Sequence, residues 1–295
     1  MKKLGLAIAL GKDANSHTRT FIEAINYSLK HFPEFKKNTL KIVNDEKSPA
    51  GGKRAAIELI EWGANVVVGH FSSFAALAAL PLYIRQSIPL ILPASTAREL
   101  GKYNKVNRTE VLKYQKDDAA LMAYCVDDSI INCQGGNVYA VVQDNPYANH
   151  MIEHLPLLAD VRVIRELPEQ VEKEDSFILI GYSDFASAII KRLSQTQIYR
   201  ILLVDDSDSV EVYNSCLLRP QRLSRVRSAS HISRHGMIRP YWNETLLALS
   251  LACSIAPQPE AASGDELSFS TYLGLQYFDK SNCYGDCVLV SDDLD

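Results

Sequence analysis

The sequence predicts an α/β protein made of two parallel-sheet lobes, and three observations carry that prediction. The chain has 295 residues, about twice the ~150 of one ordinary domain. Short apolar runs alternate with amphipathic helical spacings, the mark of βαβ units with right-handed crossovers. The alternation then starts afresh after residue 117.

Each element is legible in turn. Residues 4–10 form an apolar strand, and the polar stretch 11–16 reads as the loop after it. Residues 18–31 place Phe21, Ala24, Ile25 and Leu29 at helical spacing. A short strand covers 39–43. Residues 52–62 are helical, with Ala55, Ala56, Leu59 and Ile60 on one face and Ser48-Pro49 as cap and first turn. Val66, Val67 and Val68 mark a strand over 65–69, followed by a helix over 73–86 and a strand over 88–92. In the second block the helices are 117–126, 148–158 and 185–193. Its strands are 138–143, 161–164, 177–181 and 199–204. A late apolar helix spans 245–256, a loop 257–264, and a short strand 287–290 precedes an acidic end. No repeat is strict enough for a solenoid.

Composition narrows the function. Apolar residues are 47% and charged residues 22%, as in globular proteins. The net charge of −4 weighs against non-specific nucleic-acid binding, which needs positive charge to displace phosphate counterions. The longest nearly unbroken apolar run, 246–256, is about half the ~20 residues of a membrane span. The six cysteines include no Cys-x-x-Cys pair and read as reduced thiols. Lys2 and Lys3 precede the first apolar run, but no small-x-small cleavage site follows. The expectation is a cytoplasmic protein, or a periplasmic one if a leader has been trimmed away.

In open parallel sheets, ligands bind beyond the carboxyl ends of the strands. Those ends fall at 11–16, 69–73, 93–96, 144–147, 181–184 and 205–208, which are rich in Ser, Thr, Asp and Tyr. They supply hydroxyls, carboxylates and helix N-termini, and a helix N-terminus favours an anion. Tyr147 and Tyr182 stand out among the tyrosines because both lie at strand ends.

Several of these loops form a recognisable series. Gly69-His70-Phe71-Ser72-Ser73 is followed by the 88–92 strand and then by Pro93-Ala94-Ser95-Thr96. Arg108-Thr109, Asp144-Asn145-Pro146-Tyr147 and Gly274-x-x-x-Phe278-Asp279 come later in the same order. The series resembles the leucine/isoleucine/valine-binding proteins, which are type I periplasmic binding proteins, over nearly the whole chain. The resemblance implies two Rossmann-like lobes joined by a three-segment hinge, one lobe of 1–111 plus 232–282 and the other of 112–231 plus 283–295. It also implies a non-catalytic protein that closes on a small amino-acid-like or amide-like solute, without a cofactor or metal. Carried over by position, Ser73, Ala94 and Thr96 would hold a carboxylate. Tyr147, Tyr182 and Ser183 would meet the ligand from the second lobe, and Asp206 would take an amine. Charge-assisted hydrogen bonds at both ends suit a zwitterion. The implied partners are the solute and either a regulator or an ABC permease. Three departures leave the ligand open: a short segment between Glu166 and Phe177, Lys113-Tyr114 in place of an acidic and small pair, and Ser16-His17 in place of an aromatic.

Other motifs compete. His150-Met151-Ile152-Glu153-His154 matches an inverted zinc-protease pattern and supports the alternative of a metal-dependent hydrolase, although nothing in the sequence marks a third ligand. Gly51-Gly52-Lys53-Arg54 lacks the first glycine and the hydroxyl of a phosphate loop. Ser73 has no nucleophile elbow around it, and no Gly-x-Gly-x-x-Gly follows the first strand. Arg219, Arg222, Arg225, Arg227, Arg234 and Arg239 form a basic stretch with His231 and His235, read as a solvated loop and strand edge.

Overall fold

The computed structural model describes residues 1–103, 111–133, 135–156, 160–194, 200–209, 211–212, 214, 223–228, 241–255, 267–278, 284 and 287–291. The chain divides into two compact units, residues 1–116 with 228–286 and residues 117–227 with 287–295.

The first unit is built on a five-stranded sheet of order β2-β1-β3-β4-β5. Its strands are β1 Lys3–Ile8, β2 Thr39–Asn44, β3 Val66–Gly69, β4 Leu90–Leu92 and β5 Val111–Lys113. All neighbours are parallel. Side chains alternate across each strand, so the sheet feeds two cores. Leu4, Leu6, Ile8, Val66, Val68 and Ile91 pack under α1 (Ser16–His31), α2 (Pro33–Lys36) and a late helix, Trp242–Ser254. Ala7, Val43, Val67, Leu90 and Leu92 pack under α3 (Pro49–Trp62) and α4 (Ser73–Arg85).

Local chemistry starts these helices where the sequence places them. Asn15 accepts the Thr18 N–H at 3.1 Å while the Thr18 hydroxyl accepts the Asn15 N–H at 3.2 Å, a reciprocal cap on α1. Ser48 Oγ accepts the Gly51 N–H at 3.0 Å, with Pro49 in the first turn of α3. Gly52 is there for packing. A Cβ on it would stand 2.3 Å from the Ala75 carbonyl oxygen, so its absence lets α3 and α4 approach closely.

The second unit carries a six-stranded sheet of order β13-β10-β9-β8-β6-β7. Its strands are β6 Val138–Val142, β7 Val161–Ile164, β8 Ser176–Ile180, β9 Arg200–Leu203, β10 Leu223–Ser228 and β13 Cys287–Ser291. One face packs under α5 (Asp118–Asn132) and α6 (Pro146–Ile152), the other under α7 (Ser183–Leu193). Between β7 and β8 the described chain has no helix; Leu167 and Val171 of that connection pack on the α7 face instead.

The helix expected over 148–158 ends at Ile152 and continues only as turns through Leu155. The late apolar helix starts three residues earlier than expected, at Trp242, and is α8 below. Beyond expectation lies an antiparallel hairpin, β11 (Leu267–Thr271) with β12 (Gly274–Phe278). Gly274–Phe278 of the motif quoted above is thus a strand, and Asp279 lies outside the described residues, as do the 257–264 loop and Arg108-Thr109.

Candidate functional site

In the first unit, the candidate residues cluster at the carboxyl ends of β3, β4 and β5. β3 closes on Gly69, whose φ of +108° suits glycine and where a Cβ would lie 1.9 Å from the Ala7 carbonyl oxygen. The next residue, His70, is fully buried. Its Nδ1 lies 2.9 Å from Asp45 Oδ2 and its Nε2 3.2 Å from the Tyr83 hydroxyl. Burial, reinforced by Asp45, pushes the Tyr83 phenol up, so that hydroxyl stays protonated. Both ring nitrogens of His70 are engaged, and the residue serves as an anchor for the loop rather than as a base for Ser73.

Ser73 opens α4. Its Oγ accepts the backbone N–H groups of Thr96 and Ala97, each at 3.2 Å. Ser95 Oγ donates to the His70 carbonyl at 2.8 Å. Ala94 and Thr96 are buried in the same loop. From beneath, the Lys113 ammonium, 3% exposed, donates to the carbonyls of Thr96 and Ala97 at 3.2 Å each. Gln115 Nε2 donates to the Pro93 carbonyl at 3.3 Å. A serine hydroxyl, the first turn of a thirteen-residue helix and a buried cation therefore meet at one loop, an arrangement that favours an anion.

An aromatic group stands at the same end of the unit. His17 stacks on Phe71 at 6.5 Å and meets the Tyr241 edge at 4.9 Å, and Phe71 meets Tyr241 edge-on at 5.9 Å. Tyr241 holds φ at +62°, a left-handed backbone on a bulky residue. Such a group offers an apolar, π-rich face.

The second unit brings Tyr147, Tyr182 and Asp206 together. The rings of Tyr147 and Tyr182 stack at 5.5 Å with 14° between planes. The Tyr147 hydroxyl donates to Asp205 Oδ2 at 3.1 Å and accepts the Asp206 N–H at 3.3 Å. Gln143 Oε1 accepts the Tyr182 N–H at 2.8 Å and the Asn145 side-chain amide at 2.7 Å. Burial, then Asp206 and Asp184, hold the Tyr182 phenol above its usual range, so it remains a donor. Ser183 follows as the half-buried first residue of α7.

Sequence reasoning passed over three of these residues. Lys113 registered only as a departure from a pattern. Asp205, whose carboxylate takes the Tyr147 hydroxyl, was overlooked for its neighbour. Tyr241 is far from His17 in sequence, and no sequence spacing ties the two together. The competing motifs resolve as follows. Gly51 and Gly52 lie inside α3, behind its Ser48 cap. Arg225 and Arg227 fall on β10, and the other basic-stretch residues lie outside the described positions. Glu153 Oε2 is 3.8 Å from His150 Nδ1, while the opposite ring nitrogen faces Asp118. That puts the glutamate on the wrong side of the imidazole for a base acting on metal-bound water.

No protein-family model matches the chain, and no curated protein does. Solved structures do. A solute-binding protein of an ABC transporter from R. palustris, in complex with 4-hydroxybenzoate, superposes with a TM-score of 0.73 at 12% identity, over 98% of this chain and 92% of that one. This is a type I periplasmic-binding-protein fold. A leucine-binding protein from Thermotoga maritima shares the fold with a TM-score of 0.69 at 15% identity, covering 99% of this chain and 95% of that one. A branched-chain amino acid transporter substrate-binding protein from Streptococcus pneumoniae, in complex with isoleucine, gives 0.67 at 13% identity, covering 98% and 95%. The type I fold accounts for the two α/β units, each assembled from separated stretches of sequence. Among the described residues, no helix is long and apolar enough to cross a membrane.

Proposed function

We propose that the chain is a non-catalytic binding protein for a small carboxylate-bearing solute, amino-acid-like or amide-like, with an apolar or aromatic body. The observation that carries the reading is the loop at Ser73 and Thr96, held over the buried ammonium of Lys113. Ser73, Ala94 and Thr96 take the carboxylate in this reading. The His17, Phe71 and Tyr241 rings take the body of the solute. In the second unit, Tyr147, Tyr182 and Ser183 supply donors, and Asp206 with Asp205 supplies negative charge for an amine or amide. A zwitterion carries both kinds of group, and charge-assisted hydrogen bonds suit each. The ligands named for the similar structures, 4-hydroxybenzoate and isoleucine, span the aromatic and aliphatic versions of that chemistry.

Two settings use the same binding event: a solute receptor delivering to an ABC permease, and a sensor passing occupancy to a regulator. Either role needs the ligand to stabilise one conformation by differential contacts. The first experiment is a thermal-shift screen of branched-chain and aromatic amino acids, their amides, and hydroxybenzoates. A ligand at a hundred times its Kd raises native-state stability by about 2.7 kcal/mol. The expected result is one dominant class of hit, weakened about tenfold in Thr96→Ala and in Asp206→Asn. A hit unaffected by either variant, or a screen with no hit at millimolar ligand, overturns the assignment.

A further inference from the structure

We propose that the second unit holds one borderline divalent cation of the Zn²⁺, Ni²⁺ or Cu²⁺ class on Asp118, His150 and His154. The inference stands apart from the solute reading, since none of the three residues belongs to that site. Asp118 is the first residue of α5 and is only 2% exposed. Its neighbour Asp117 does the capping by accepting the Ala120 N–H at 2.9 Å. Asp118 complements the helix dipole as a first-turn acid but does not cap a backbone N–H.

His150 lies in the last turn of α6. The Glu153 and His154 N–H groups bond to the carbonyls of His150 and Met151, both at 3.1 Å, so the chain keeps turning past the helix end. These i-to-i−3 bonds tighten the turn and fold His154 back beside His150. The two imidazoles accordingly lie with centroids 4.9 Å apart, crossed at 83°. One ligand atom from each of Asp118, His150 and His154 falls within 4.8 Å of the other two.

Three features suit a cation. Asp118 Oδ2 and His150 Nε2 are 3.4 Å apart. A charge-assisted hydrogen bond would be about 2.7–2.9 Å, whereas two ligands on a tetrahedral metal with bonds of about 2.0–2.1 Å stand roughly 3.3–3.4 Å apart. Asp118 Oδ1 is buried without a hydrogen-bond partner, so its burial leaves the carboxylate under-satisfied, and a cation bound through Oδ2 offsets that charge. Finally, Glu153 Oε2 lies 3.8 Å from His150 Nδ1. A carboxylate on that side is placed as the outer partner of a ligating histidine, one water or a small rotation from the Nδ1 proton.

The donor set selects the metal. Two imidazoles and one carboxylate suit Zn²⁺, Ni²⁺ and Cu²⁺, whereas Ca²⁺ and Mg²⁺ want an all-oxygen shell. With three protein ligands among the described residues, a fourth position is left for water or a small anion. Bound metal joins the start of α5 to the end of α6, the short helix that also carries Tyr147.

The test uses the full chain after chelator treatment, with ZnCl₂ followed by calorimetry and CoCl₂ by visible absorption. The expected result is one equivalent of Zn²⁺, and Co²⁺ d–d bands without a thiolate charge-transfer band. Affinity falls at least tenfold in His154→Gln and in Asp118→Asn. His154 is half-exposed, so its variant reports on binding even if the buried Asp118 variant folds poorly. Unchanged affinity in His154→Gln, a thiolate band, or no stoichiometric uptake overturns the proposal.

Discussion

The two units solve the same packing problem with different materials. In the first, helices cover both faces of the sheet: α1 and α8 on one side, α3 and α4 on the other. In the second, the connection from β7 to β8 has no helix, and Leu167 and Val171 stand on the sheet face beside α7. The edge there is trimmed to match. Tyr139 and Phe177 stack at 5.2 Å, and the Arg162 guanidinium lies 5.9 Å above the Tyr139 ring. A parallel sheet therefore tolerates the loss of a crossover helix near its edge when aromatic rings and an arginine stem supply the missing apolar cover. The unit with complete cover also anchors its 93–97 loop through His70, Ser95 and Lys113.

The comparison breaks most sharply at Gly69. Gly69→Ala forces a Cβ to within 1.9 Å of a backbone oxygen at φ +108°, and the expected loss is about 4 kcal/mol. Urea unfolding followed by a probe in each unit shows the first unit melting early and the second unchanged. A shared shift in both units would mean that they unfold as one. Next in size is a pair within the second unit. Phe177→Ala, in the fully buried core, costs about 3 kcal/mol, the low end for truncating a core phenylalanine. Leu167→Ala, in the half-buried connection, costs about 1 kcal/mol. Equal losses would show that the connection carries as much of the core as a helix does.

The smallest effect is a pH slope. Burial raises the Cys253 thiol from its ordinary 9.0 to about 11, against the opposing pull of Lys2. The folded unit keeps a proton that the unfolded chain releases near pH 9. The thiol's contribution is therefore intact below pH 9 and lost as pH rises towards 11. Melting curves of wild type and Cys253→Ser should diverge over that window, and parallel curves would contradict it.

Much of the first unit was readable because its helices announce themselves twice, by apolar spacing and by caps such as Asn15 and Ser48. The β11–β12 hairpin was not, because its polarity is inverted. Gln276 is buried, bonding Ser250, Thr271 and the Leu247 carbonyl, while Leu275 and Tyr277 face outward. β5 was missed because three residues ending in a lysine look like a loop; only tertiary structure shows the Lys113 ammonium turned under the 93–97 segment. In the candidate sites, strand-end position picked out Tyr147 and Tyr182. Helical spacing picked out His150 and His154 but not Asp118, because the ligand completing that trio comes from another helix.

The Lys2 ammonium donates to the carbonyls of Ala252, Cys253 and Ile255 at the end of α8, tying the start of the first unit to its last core helix. On the ribosome those two partners emerge far apart. The 111 residues of 117–227 are made between the unit's two stretches, roughly 5–20 s at ~5–20 residues per second. For that interval Leu4, Leu6, Val66 and Val68 have α1 but not α8 against them. A nascent chain of this design is held open by its own inserted unit, and a chaperone that shields apolar strands has its best opportunity before residue 242 leaves the exit tunnel.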